Sequence, residues 1–285
     1  MGLNLAKINQ QKLRQRIKTP SAFKRLLRLT ILLVSVVAII GSVTFYGQHS
    51  QWHTGHTLAK MAKRSSTAIK PVRAESIHQQ ANKLHITPDY SGGGGLADKP
   101  TMLKLAQSNQ PEISRGHVAV PSFNISEPLY EGTSDHVLAV GVGINEPETT
   151  IGKGRLPIFG HNMGDYDAIW PYQPTKFSAL QNMTANSILG HSIYVSDGQT
   201  VFEYRATNYV SGLPVAQLNA ALDVPYNGQS EVQLIACLED AAFWQEVKAS
   251  NYTNFHADKR IVLTGTLISQ QSFSSLDAKL KEQLQ

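Results

Sequence analysis

The chain has 285 residues, 41% of them hydrophobic, which is enough for a substantial core and too many for a disordered chain. Its formal charge of +5 is unevenly placed: Lys7, Lys12, Arg14, Arg16, Lys18, Lys24, Arg25 and Arg28 stand together without an acid among them, leaving 18 basic against 21 acidic residues for the remainder. That mildly acidic body excludes a basic surface for nucleic acid, and a single cysteine, Cys237, excludes an internal disulfide.

Residues 1–28 form the basic segment. Residues 29–47, LTILLVSVVAIIGSVTFYG, carry no charge over 19 positions, and as a helix they span about 28 Å, the thickness of a hydrocarbon core. The run is longer than the apolar region of a cleaved signal, and no Ala-x-Ala site follows it. It therefore reads as a retained single-pass membrane anchor. The preceding basic residues place the N-terminus in the cytoplasm and the body outside.

Residues 48–112 show no sustained strand alternation. Thr57 to Leu84 suggests one or two loose helices, and Ser91 to Gly95, SGGGG, a hinge. The stretch reads as a linker or stalk that holds the body away from the membrane.

From Ile113 onward, short β-rich runs recur between Gly, Pro, Asn and Asp. His117 to Val120 and Ile125 to Tyr130 are the first, with Pro128 marking an edge position or a strand end. His136 to Val142 and Leu156 to Phe159 follow, the latter ending at Gly160-His161. Ile193 to Ser196 and Val201 to Val210 form a hairpin about Asp197-Gly198. Val232 to Cys237 and Arg260 to Ile268 are the last strands. Phe177 to Met183 and Leu238 to Trp244 suggest short helical turns. The prediction is a mostly β, closed barrel of eight strands with short helices over residues 113–270, then a polar tail over 271–285.

Cys237, at the end of its strand, is either a small buried hydrophobe or a nucleophile whose base lies elsewhere in the chain. His161 and Arg260 also stand at strand ends. Taken alone, His161 reads as a polar residue in a turn and Arg260 as a solvated charge. Thiol attack on a peptide carbonyl needs a thiolate, a proton donor for the leaving amine and a donor for the oxyanion, and these three residue types supply them. Composition and spacing do not single them out.

Three segments do. PIFGHNM (157–163), QLIACLED (233–240) and DKRIVLTGTLI (258–268) resemble the signature regions of sortases, the cysteine transpeptidases of the Gram-positive surface. The upstream run VAVPSFNISEPLYEGTSDHVLAVGVG, and KFSAL followed by GHSIYVSDG, resemble the family's entry strands and its later turn and hairpin. The resemblance is strongest to the class A branch. It implies that Cys237 attacks the Thr–Gly carbonyl of a Leu-Pro-x-Thr-Gly sorting signal on a secreted protein. It implies that His161 shuttles the amine proton and that Arg260 binds the oxyanion. The thioacyl enzyme is then resolved by an amine of the peptidoglycan precursor, lipid II. The family pattern before the cysteine is Thr-Leu-x-Thr; here Gln233 and Ala236 replace the threonines, and the resemblance implies that Ala236 stands beside the substrate.

The loop over residues 210–229 frames the family's signal groove, where Val215, Leu218, Ala221 and Leu222 are expected to grip the Leu-Pro portion; residues so spaced are also ordinary core. The chemistry requires no metal. Some class A members bind calcium near this loop, for which Glu146, Glu148 and Asp223 are the acids at hand, few for an ion that takes 6–8 oxygens. Three rival readings have distinct marks. A pilin-polymerising sortase usually carries a lid over its cleft and a C-terminal membrane segment, whereas Gln270 to Gln285 is polar. An L,D-transpeptidase carries a Ser-His-Gly-Cys run, which is absent. A non-catalytic anchored binding module would hold Cys237 as buried filler.

Overall fold

The computed structural model describes residues 24–45, 70–92, 107–162, 176–223, 228–251 and 253–285, together with positions 101, 104 and 105. The chain divides into two units, Met1–Gln51 and Trp52–Gln285. In the first, helix α1 (Lys24–Phe45) has a mean hydropathy of 2.4 and no buried residue in its apolar window, and by length and composition it is able to cross a membrane. Tyr46 and Gly47 of the expected anchor lie outside the described residues.

The second unit is a closed eight-stranded barrel in the order β1-β2-β3-β4-β7-β8-β6-β5. Its strands are β1 (Ser114–Val120), β2 (Ile125–Glu131), β3 (Val142–Ile144), β4 (Arg155–Phe159), β5 (Ser192–Ser196), β6 (Thr200–Pro214), β7 (Glu231–Cys237) and β8 (Lys259–Ser272). The main core lies inside the barrel, where Val118, Leu129, Ile144, Ile158, Ile193, Leu234 and Leu263 are all fully buried. Pro128 pairs with His117 of β1, while the parallel pairing of β2 with β3 begins only at Leu129. The proline, which lacks an N–H, thus sits just before that second ladder starts.

Three expectations are corrected. The run His136 to Val142 is not a strand: Asp135–Val140 is a helix, α3, and β3 starts at Val142. The side chain of Ser134 accepts a hydrogen bond from the Val137 N–H and caps it, with Asp135 favourably placed in the first turn. Residues 136–140 are buried all round, so their unbroken apolar run has no period to separate helix from strand.

The stretch expected to be a stalk belongs, over residues 70–92, to the barrel unit. Helix α2 (Ile77–Leu84) buries Ile77 and Ala81 in a cluster with Ile113, and the Val72 N–H donates to the Ser114 carbonyl at 2.7 Å. Burial of Ile77 stabilises this docking by roughly 1.5–3 kcal/mol. The polar tail is likewise packed: Leu276 and Leu284 are buried with Ala119 and Val201, flanking a short helix, Ala278–Gln283. The polar residues there face outward, and a few leucines supply the contact.

Candidate active site

The strand register brings the candidate residues together. β4 and β7 are parallel neighbours with Phe159 opposite Ile235, and the Gly160 N–H donates to the Ile235 carbonyl at 3.0 Å. Two residues beyond this pair stand His161, past the end of β4, and Cys237, the last residue of β7. β7 and β8 are antiparallel with Cys237 directly opposite Arg260. Three residues far apart in sequence therefore meet at one end of three adjacent strands, in a cleft of about 20 Å³. Ala236, Gly160, Phe159, Ile235 and Leu138 complete much of its lining.

Gly160 admits no side chain there, because a Cβ would lie 2.6 Å from the ring of Phe177 and 2.8 Å from Val142. Arg260 is buried, and its Nη1 donates to the carbonyls of Ala257 at 2.6 Å and Lys259 at 3.1 Å. Among the described residues, the guanidinium is thus held by main chain. His161 is also buried. Desolvation lowers its pKa from 6.5 to about 4, reinforced by the positive charges of Lys176 and Arg260. Cys237 is half-buried, and desolvation pushes its thiol up; Arg260 opposes this shift and Glu239 adds to it. At rest both groups favour their neutral forms.

The groove candidates separate. Leu218, in helix α4 (Leu218–Leu222), is buried in a cluster with Leu138, Phe159 and Ile235, three residues that line the cleft, and Leu222 packs against the same cluster. Arg155 Nη1 donates to the Leu222 carbonyl and fixes the end of α4. Ala221 is half-buried, and Val215 is exposed, its N–H bonded to the Asp258 carbonyl at 2.9 Å. Glu146, Glu148 and Asp223 are exposed and do not gather: among the described residues, no three His, Cys, Asp or Glu side chains are grouped to hold a metal ion.

Gly92 also lines the cleft and was not foreseen from sequence. The segment before it is clamped onto the turn after β2. The Thr133 N–H donates to the Asp89 carbonyl at 2.5 Å, and the Gly92 N–H donates to Thr133 Oγ1 at 3.0 Å. Gly132, at φ +81°, leaves room for this approach, since a Cβ there would lie 2.7 Å from the Asp89 oxygen. Tyr90 donates to Glu131 Oε1 at 2.6 Å; Glu131 is paired with buried Arg115, whose Nη2 reaches the Thr149 carbonyl at 2.7 Å. The signal for all this, a lone Asp-Tyr pair beside a glycine run, has no periodicity to reveal it.

The family model of the sortase domain matches residues 118–262. The chain belongs to the sortase family. Sortase A of Listeria monocytogenes is 26% identical over 140 residues, 49% of this chain and 57% of that protein. Sortase A of Bacillus anthracis is 24% identical over 142 residues, 50% of this chain and 60% of that one. The chain thus aligns with less than two thirds of the length of these sortases. Among solved structures, sortase C-3 of Streptococcus pneumoniae superposes with a TM-score of 0.46 at 20% identity, covering 82% of this chain and 99% of that one.

Proposed function

We propose that the protein is a membrane-anchored sortase that cleaves a Leu-Pro-x-Thr-Gly-type signal between Thr and Gly and transfers the carrier protein to a peptidoglycan amine. The observation that carries this reading is the convergence of Cys237, His161 and Arg260 on one cleft through strand register. Cys237 Sγ, as thiolate, attacks the threonine carbonyl carbon. The carbonyl electron pair moves to oxygen, where the Arg260 guanidinium stabilises it. As the pair returns, the C–N bond breaks, the imidazolium of His161 gives its proton to the leaving glycine nitrogen, and a thioester remains. An incoming amine then attacks, loses its proton to His161 and expels the thiolate.

Burial lowers the His161 imidazole and raises the Cys237 thiol, so the neutral pair is the resting form and substrate binding must favour the reactive ion pair. Ala236 stands beside the reacting centre, where the sortase pattern has threonine. Leu218 and Leu222 brace the apolar wall that receives the Leu-Pro portion, with Val215 and Ala221 at its outer edge. Helix α1 with the basic residues before it supports a single-pass anchor, N-terminus inside and barrel outside.

A pilin-polymerising sortase is the second reading, favoured by the clamped Asp89–Gly92 segment at the cleft. The test is mass spectrometry of the protein with a Leu-Pro-x-Thr-Gly peptide. The expected result is an adduct of the peptide through its threonine on Cys237, resolved faster by a peptidoglycan-type amine than by the ε-amine of a pilin lysine. Absence of any adduct refutes both readings, and the reverse acceptor preference selects the second.

A further inference from the structure

The parallel pairing of β4 and β7 stops one step short of the residues that matter: its last rungs are Phe159 with Ile235 and the Gly160 N–H on the Ile235 carbonyl. Beyond that point two side-chain amides continue it. Asn162, buried beside His161, donates from Nδ2 to the Cys237 carbonyl at 3.1 Å and to Gln181 Oε1 at 2.5 Å. Gln181, in the 3₁₀ turn Ser178–Asn182, accepts at the same Oε1 from the Glu239 N–H at 2.8 Å. Its Nε2 donates to the Glu239 carbonyl at 3.2 Å. One primary amide so engages both main-chain polar groups of Glu239, as a neighbouring strand would. On the opposite side, the Leu238 N–H is held by the Lys259 carbonyl at 3.0 Å.

We propose that Asn162 and Gln181 are positioning residues for the thiol chemistry: acting in series, they fix the Cys237–Glu239 backbone against the His161 loop and so set the spacing of sulfur and imidazole through the transfer cycle. The proposal rests on the reading of Cys237 as nucleophile. Neither amide titrates or supplies a proton to acyl transfer. The barrel is registered without them, since the β4–β7 ladder is complete up to Ile235. Their loss therefore leaves the strands paired and lets the two strand ends splay, which changes geometry where near-attack distances decide the rate. The charges facing the site come from other elements: Arg260 and Glu239 toward Cys237, Lys176 and Arg260 toward His161.

Cys237 is the sole cysteine, so alkylation of the full chain in detergent by iodoacetamide reports it directly. In Asn162→Ala and Gln181→Met, a loosened strand end gives the sulfur more water. Alkylation then becomes faster at neutral pH, with its midpoint moved to lower pH. Acyl-adduct formation with a Leu-Pro-x-Thr-Gly peptide moves the other way, kcat falling on the order of 10²-fold with KM little changed. The double variant loses no more than the worse single variant, because the amides act in series. Wild-type alkylation rate and midpoint in both variants, or losses that multiply in the double variant, overturn the proposal. If Gln181→Met does not fold, Asn162→Ala, which keeps the Gln181–Glu239 pairing, decides on the same readouts. Alkylation needs no sorting peptide: a wild-type protein that forms no adduct refutes the transpeptidase reading, while the comparison of alkylation profiles still decides whether the amides place the sulfur.

Discussion

His161 couples the chemistry of the cleft to the stability of the barrel. In the folded protein its ring titrates near 4, burial being the main cause, whereas in the unfolded chain it titrates near its ordinary 6.5. Between these values the unfolded chain binds a proton that the folded chain refuses. The contribution is fully present above about pH 6.5 and is lost as pH falls towards 4. Integrated, the loss is about 2 kcal/mol at about pH 5 and about 3 kcal/mol at about pH 4. His161→Gln keeps a polar side chain and removes the titration. Urea unfolding of both proteins in detergent, followed by tryptophan fluorescence near neutrality and near pH 5, isolates this contribution, because groups common to both cancel. The wild type is expected to lose about 2 kcal/mol more than the variant. Equal losses would refute the reasoning, since the folded protein would then accept the proton as readily as the unfolded chain, and the imidazole would be a cation near pH 5.

Cys237→Ala is expected to abolish the acyl adduct while shifting unfolding free energy by about 1 kcal/mol, as a small half-buried side chain is shortened by one atom; mass spectrometry and a urea curve check the two parts. Arg260→Lys is expected to lower kcat/KM on the order of 10²-fold, because a single ammonium cannot hold the Ala257 and Lys259 carbonyls and also present a planar fork to an oxyanion. Initial-rate kinetics with a sorting peptide test this, and wild-type rates would remove Arg260 from the oxyanion role. Glu131→Gln leaves Arg115 buried without its counter-charge, at a cost of about 3–5 kcal/mol, which calorimetry should read as a fall in Tm of roughly 10 °C.

Most of the barrel was legible because its strands are short runs of branched and aromatic residues punctuated by Gly, Asn and Asp, a pattern imposed by tight turns and half-buried faces. Cys237, His161 and Arg260 were placed by their likeness to known motifs, not by periodicity. The pairings that bring them together, Phe159 with Ile235 and Cys237 with Arg260, are set by register between distant strands, which no local window contains. Helix α3 was misread because burial on every side erased its period. The docking of residues 70–92 was missed because it depends on a few apolar contacts of Ile77 and Ala81 and on the polar anchorage of Tyr90 and Thr133, scattered through an otherwise hydrophilic stretch. Asn162 and Gln181 were equally silent: ordinary amides gain a role only from what stands 2.5–3.2 Å away.

That β4 and β7 run side by side in the same direction has a bearing on engineering. The gap between imidazole and sulfur is governed by the inter-strand repeat, about 4.8 Å, and by the bonds bracing the two ends. The connections that leave those ends can then be lengthened, shortened or grafted from a homologue without altering that gap, provided Asn162 and Gln181 travel with the scaffold and not with the transplanted loop.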